Sequence, residues 1–162
     1  MTVFDGHAGW FSMPGRPVRD MHGSDLDAAR MAADLHFPLH VKQAFDELRV
    51  EYPEKIGGRD AYVISCKKVG QPPVKLYFDE QSGLLKRLVQ FAQSPLGLVP
   101  TQIDYDDYRA VDGVQTPYRR TIGRPGESST IQLEQIRQNV PMDDAKFVRP
   151  AAPAARAIPP AP

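Results

Sequence analysis

Three groups of residues have types and spacings that could carry chemistry. His36 and His40 stand four apart, the interval that places two imidazoles on one helix face for a zinc ion. Pro38 interrupts that interval and no Glu follows the first histidine, so the general base of a metalloprotease is missing and the pair receives no metal assignment. Asp104, Asp106 and Asp107 concentrate carboxylates suited to Ca²⁺. Strand alternation splits them between two faces, however, and the loop glycine and distal Glu of an EF-hand are absent. The expectation is that Asp104 and Asp106 line a solvated face while Asp107 pairs with an arginine, Arg109 being on the same face. Cys66, the one cysteine, lies in a β-rich run, where a thiol acts as a small core hydrophobe rather than an activated thiolate. A lone cysteine also rules out an intrachain disulfide, a four-cysteine zinc site and a C-x-x-C-H haem attachment. No Gly-x-Ser-x-Gly elbow, dinucleotide fingerprint or phosphate loop is present. The residues therefore assign no catalytic group, no metal and no cofactor, and the chain reads as a non-enzyme.

Composition narrows the partners. Twenty basic side chains balance twenty acidic ones over 162 residues, which leaves none of the positive excess that phosphate neutralisation requires, so nucleic acid is not an expected partner. No apolar run approaches the ~20 residues of a membrane-crossing helix. The opening MTVFDGHAGWF lacks the basic, apolar, small-residue order of an export signal and reads as a start inside a longer protein. From Pro150 to Pro162 the chain is Pro/Ala-rich, with Ile158 its one sizeable apolar side chain, and is expected to be a disordered tail behind a domain of residues 1–149.

The elements that must position any site are mainly strands. VFDGHAGWFSM predicts a hairpin about Asp5-Gly6-His7-Ala8, with Trp10 and Phe11 on opposite faces. Ser24 as N-cap, Asp25 and Asp27 in the first turn, and the spacing of Leu26, Ala29, Arg30 and Ala33 predict a helix to Leu35; Pro38 to Phe45 predicts a second short one. Leu48 to Tyr52 and Ala61 to Cys66 should pair across a Gly57-Gly58-Arg59-Asp60 turn. The stretch from Val74 to Tyr118 reads as an antiparallel meander, with turns at Asp79-Glu80-Gln81-Ser82-Gly83 and Asp112-Gly113. In its first strand Val74, Leu76 and Phe78 should pack while Lys75, Tyr77 and Asp79 face water. Further strands are expected at Leu84 to Phe91, Thr101 to Arg109, Val114 to Ile122 and Ser129 to Asn139, with Pro117 marking an edge or a bulge. The fold class is α+β, mainly antiparallel β: a curved open sheet with one or two short helices over its concave face.

The strings LYFDEQSGLLKR, SPLGLVPTQIDYDDYRAVDGVQTPYRRTI and IRQNVPMDDAKFVRP resemble the outer-membrane lipoprotein-sorting or carrier-like domain of the LolA/LolB superfamily. The likeness is to the variant in acidobacterial-type proteins labelled photosynthetic reaction-centre cytochrome c subunit. It rests on Tyr77-Phe78-Asp79, Gly83-Leu84-Leu85, Asp104-Tyr105, Asp107-Tyr108-Arg109, Val111-Asp112-Gly113-Val114, Pro117, Asn139 and Phe147, and covers nearly all of Phe4 to Pro150. The resemblance implies an incomplete antiparallel barrel, or half-barrel, whose concave face takes acyl chains, and a periplasmic or otherwise extracytoplasmic place. Relative to that domain the strands ahead of Asp5-Gly6-His7-Ala8-Gly9-Trp10 are missing, and the haem motif of the labelled proteins is not carried over.

In such a half-barrel Trp10, Met13, Leu26, Met31, Leu35, Phe78, Leu88, Phe91, Ile103 and Tyr105 would line the concavity. Two functions from different classes follow. One is a non-enzymatic carrier or sensor that holds the acyl chain of a lipid or lipoprotein. The other is a structural or interaction module whose concavity is filled by side chains and which docks a protein partner, or a second copy, through an exposed strand edge.

Overall fold

The computed structural model describes residues 1–34, 36–95 and 97–150. They form two compact units, one holding Met1–Ala33 and the stretch from Pro141 onward, the other Asp34–Val140. Leu35 and the expected tail beyond Pro150 lie outside the described residues.

The first unit opens with the expected hairpin. Strands β1 (Thr2–Phe4) and β2 (Gly9–Phe11) pair antiparallel. Asp5 builds their turn: its Oδ1 accepts the backbone N–H groups of His7 and Ala8, both at 2.7 Å, which is how a short carboxylate satisfies donors that the strands leave behind. A two-residue strand β3 (Arg19–Asp20), which no periodicity announces, pairs with β2. Arg19 holds its guanidinium 4.5 Å from the Phe11 ring centroid, and Trp10 and Met21 are buried. Helix α1 (Ser24–Ala33) has Asp25 and Asp27 at its positive end, as the sequence predicts, yet none of its residues is fully buried. A 3₁₀ turn at Asp144–Phe147 is capped by Asp143, which accepts the Ala145 N–H at 2.9 Å, and Arg149 pairs with Asp20 at 2.7 Å.

The second unit is an open antiparallel sheet. A 3₁₀ turn at Phe37–Leu39 and helix α2 (Val41–Ala44) precede it; Phe37, Val41 and Phe45 are buried, and the Phe37 and Phe45 rings meet edge to face. The strands are β4 (Glu47–Val50), β5 (Glu54–Ile56), β6 (Arg59–Lys67), β7 (Val74–Asp79), β8 (Leu85–Ser94), β9 (Gly97–Val111), β10 (Val114–Arg124) and β11 (Glu127–Gln132). Their order is β11-β10-β9-β8-β7-β6-β4, with β5 also on β6, so the sheet is not closed into a barrel. The meander is the one expected, with longer arms. At Asp112-Gly113 both residues take positive φ, 48° and 82°, the mirror-image turn whose twist matches a hairpin. β5 was not expected, because its three residues lie hidden just before the Gly57-Gly58 turn. β11 begins after a Pro125-Gly126 turn and stops at Gln132, short of the expected Asn139. Its partners on β10 run from Arg119 to Arg124, so Pro117 lies past the end of β11, where its missing donor costs no bond on that side.

One expectation is corrected. Lys75, Tyr77 and Asp79 do not form a wet face: Tyr77 is buried in a cluster with Ala61 and Val63, flanked by Ile56 and Val89, and Asp79 is 2% exposed. Pairing of Val63 with Tyr77 and of Lys75 with Val89 brings these side chains onto one face, so β7 is covered on both sides. The buried Asp79 carboxylate has a full set of partners. It accepts the Ser82 N–H at 2.8 Å and the Ser82 hydroxyl at 2.7 Å, and takes Arg59 through two nitrogens at 2.9 and 3.0 Å. Gly83, at φ 69°, then turns the chain so that its N–H donates to the Asp79 carbonyl.

Two outcomes are expected from this packing. The Ser82 donors, then Arg59, hold the Asp79 carboxyl below its ordinary value of 3.8. A depressed carboxylate stabilises the fold above its unfolded pKa and loses that contribution as pH falls through its folded pKa. Asp79→Asn should therefore melt a few degrees lower than the parent at neutral pH, the gap closing as pH drops below about 4 in calorimetry; a gap that widens in acid would contradict the carboxylate's role. Cys66 is fully buried and burial pushes its thiol up to about 12. A thiol reagent should label the native protein at least ~100-fold more slowly than the unfolded chain.

Candidate functional site: an aliphatic row across one sheet face

The alternation of each strand and the register between strands assemble a site that no single segment contains. Val50 lies opposite Ile64, Ile64 opposite Leu76, Leu76 opposite Leu88, Leu88 opposite Ile103, and Ile103 opposite Ile122. Directly opposed residues share a face, so six strands contribute one aliphatic residue each to a single row of roughly 24 Å at ~4.8 Å per strand. Its exposure is graded: Leu76 and Leu88 are buried, Ile64, Ile103 and Ile122 are half-buried, and Val50 is 71% exposed. Phe78 and Tyr105, both half-buried, flank the row on one side. Burial also pushes the Tyr105 phenol above its ordinary range, so it stays a neutral, largely apolar ring.

The expected lining residues are thus divided. Phe78, Leu88, Ile103 and Tyr105 share this face. Phe91 pairs with Pro100 and, one residue out of phase with Gln90, projects from the opposite face with Val89. Trp10, Met13, Leu26 and Met31 belong to the first unit, where Trp10 is buried, Met13 is exposed and the two helical residues are half-buried. The Trp10 indole N–H is buried with no hydrogen-bond partner among the described residues. That unit has its own shallow hollow of about 530 Å³, lined by Phe4, Asp5, Gly6, Ala33, Asp144, Phe147 and Val148, none of them among the expected residues. Val50, Ile64, Leu76 and Ile122 were also missed as lining residues. Each sits in an ordinary alternating strand, and only the register shows that they align.

The reverse face carries charge in matched pairs, and a bulge sets them. Tyr77 pairs with Arg87 but Phe78 pairs with Leu85, so Lys86 is an extra residue on β8. Lys86 reaches Asp106 at 3.3 Å while the next residue, Arg87, holds Asp104 at 2.5 Å. Arg119 also binds Asp106, whose carboxyl is drawn down to about 2 by that guanidinium and by the Asp107 N–H. Arg109 binds Asp107 at 2.6 Å, as the sequence led us to expect. Asp104 and Asp106 line a partly solvated face, as expected, and each is in addition held by a basic side chain from a neighbouring strand. The three carboxylates are therefore committed to ion pairs, which at such exposure add little stability and mainly orient the strands. The His36 and His40 rings stack with centroids 6.2 Å apart on the exposed turn before α2.

No family model and no curated protein matches the sequence. Among solved structures the chain is similar to a DUF1329 family protein from Desulfovibrio piger, at 17% identity with a TM-score of 0.58 over 87% of this chain and 62% of that one. It is also similar to an outer membrane lipoprotein-sorting protein domain from Vibrio parahaemolyticus, at 10% identity with a TM-score of 0.52 over 86% of this chain and 63% of that one. The chain thus spans a little over three fifths of each. At these identities the likeness is one of fold, an open antiparallel sheet with short helices, and it is consistent with the resemblance carried by the motifs from Tyr77 to Phe147.

Proposed function

We propose that this protein is a non-enzymatic, extracytoplasmic module that binds the acyl chain of a lipid or lipoprotein along the aliphatic row of its sheet. The observation that carries the reading is the row itself, buried at Leu76 and Leu88 but half-open from Ile103 to Ile122, with Phe78 and Tyr105 beside it. An extended hydrocarbon chain needs a continuous apolar track and no hydrogen bond, and a run of aligned branched side chains supplies that. Each methylene taken from water contributes about 0.8 kcal/mol, so contact over a few strands is enough for micromolar binding. The fold of the Vibrio lipoprotein-sorting domain supports the choice of ligand class. The committed carboxylates and the buried, protonated Cys66 supply no reacting group, in keeping with carriage rather than chemistry.

The test is titration with a fluorescent fatty acid, alongside mass spectrometry of lipid extracted from the purified protein. Saturable uptake is expected. Ile103→Glu, on the row, should weaken it at least ~tenfold while Gln102→Glu, its neighbour on the opposite face, leaves it unchanged, with thermal melts confirming that both variants fold. Absence of uptake by the parent, or equal loss in both variants, would overturn the reading.

A further inference from the structure

Among the described residues strand β11 ends the sheet, and every one of its residues is exposed. The Leu133 N–H donates to the Tyr118 carbonyl, and Leu133 and Tyr118 stand two residues beyond the pair Ile131 and Arg120. In an antiparallel ladder hydrogen-bonded pairs alternate. Glu127, Ser129 and Ile131 therefore turn their backbone groups to β10, and Ser128, Thr130 and Gln132 turn theirs outward. Natural edge strands are protected by proline, lysine, bulges or inward-pointing charge. ESSTIQ has none of these; its one charge, Glu127, sits at the first position. The opposite edge is shorter and more charged: β4 is Glu47-Leu48-Arg49-Val50, and Glu47 is held by Lys67 at 3.2 Å.

We infer that β11 is a self-association edge, pairing antiparallel with β11 of a second copy of this chain about a two-fold axis at Thr130. The partner is argued from the fit of the strand to itself. Centred on Thr130, the two strands exchange backbone hydrogen bonds at Thr130 with Thr130, at Ser128 with Gln132, and at Gln132 with Ser128, so every outward N–H and C=O is used. Charges do not clash: Glu127 meets Leu133 of the second copy, never another carboxylate, and the net charge of zero adds no long-range repulsion between copies. Side chains on one face stay on that face, so Ile131 of the second copy, 41% exposed in the single chain, comes to lie opposite Ser129 beside Ile122. The aliphatic row of one copy then runs on toward the other. A single strand pair is a small contact, which places the dissociation constant between about 10 µM and about 1 mM.

Thr130 gives a test that leaves the backbone ladder alone, since its backbone donor faces away from β10; its exposed hydroxyl meets that of Thr121 at 3.1 Å, so thermal melts of both variants check that losing this contact does not unfold the edge. Sedimentation velocity over a dilution series should show the parent chain passing from monomer to dimer. Thr130→Lys and Thr130→Glu each place like charges across the axis and should weaken association at least ~tenfold, while an equimolar mixture of the two should regain it as a heterodimer. A parent that stays monomeric to about 1 mM, dimerisation of Thr130→Lys equal to the parent, or a mixture no better than either variant alone would each overturn the inference. Acyl-probe binding by monomeric Thr130→Lys separates this outcome from that of the lipid-binding reading.

Discussion

The register between β7 and β8 is the constraint on which the rest of the sheet depends. A one-residue slip there would exchange the two faces of every strand that follows. Two devices hold it. At the turn, the buried Asp79 carboxylate takes Ser82 and Arg59 as partners, and Gly83 provides the positive φ that closes the loop. Just beyond, the extra residue Lys86 re-aims β8, and the Tyr108 hydroxyl donates to the Leu85 carbonyl at 2.5 Å, tying β9 to the same point. A buried carboxylate without those donors would be costly, so the turn has one arrangement that satisfies it and few that do not.

From that register come two faces with different work. One carries the aliphatic row and buries its centre. The other carries the Tyr77 cluster beside Arg87–Asp104 and Lys75–Glu51 pairs, the last at 2.7 Å. Both faces of the middle strands are covered while one face stays half-open toward β9 and β10, so in the proposed function the residues that stabilise the sheet are not the ones that would meet a ligand. Leu76, Val63 and Cys66, all fully buried, anchor the sheet, whereas Ile103 and Ile122 sit where contact with a ligand does not require the core to open. Among the described residues β11 is the terminal strand on this side, so the half-open part of the row lies next to a sheet edge.

Much of this was legible in advance, for identifiable reasons. Asp112-Gly113, Gly83 and the Asp5 turn announce themselves through residues that tolerate positive φ or bond their own backbone, and such local chemistry survives any tertiary context. The Arg109–Asp107 pair lies two residues apart on one strand, within reach of a sequence argument. The wet face assigned to Lys75, Tyr77 and Asp79 failed because alternation tells which residues share a side, but not whether that side will be covered. β5 and β3 were missed because two or three residues carry no periodicity, only a partner.

The amino-acid sequence by itself determined an antiparallel meander, its turns, its helix near Ser24, the burial of Cys66, and the absence of any motif for a metal, a cofactor or a nucleophile. Those features depend on neighbours a few residues apart, where backbone preference and side-chain type act directly. Tertiary structure alone decided which aliphatic residues from six strands form one row, that Phe91 leaves it, that Asp104 and Asp106 are held by bases from other strands, and which strands lie at the edges of the described sheet. These depend on register, and register is set by contacts between segments whose separation along the chain a periodic pattern does not encode.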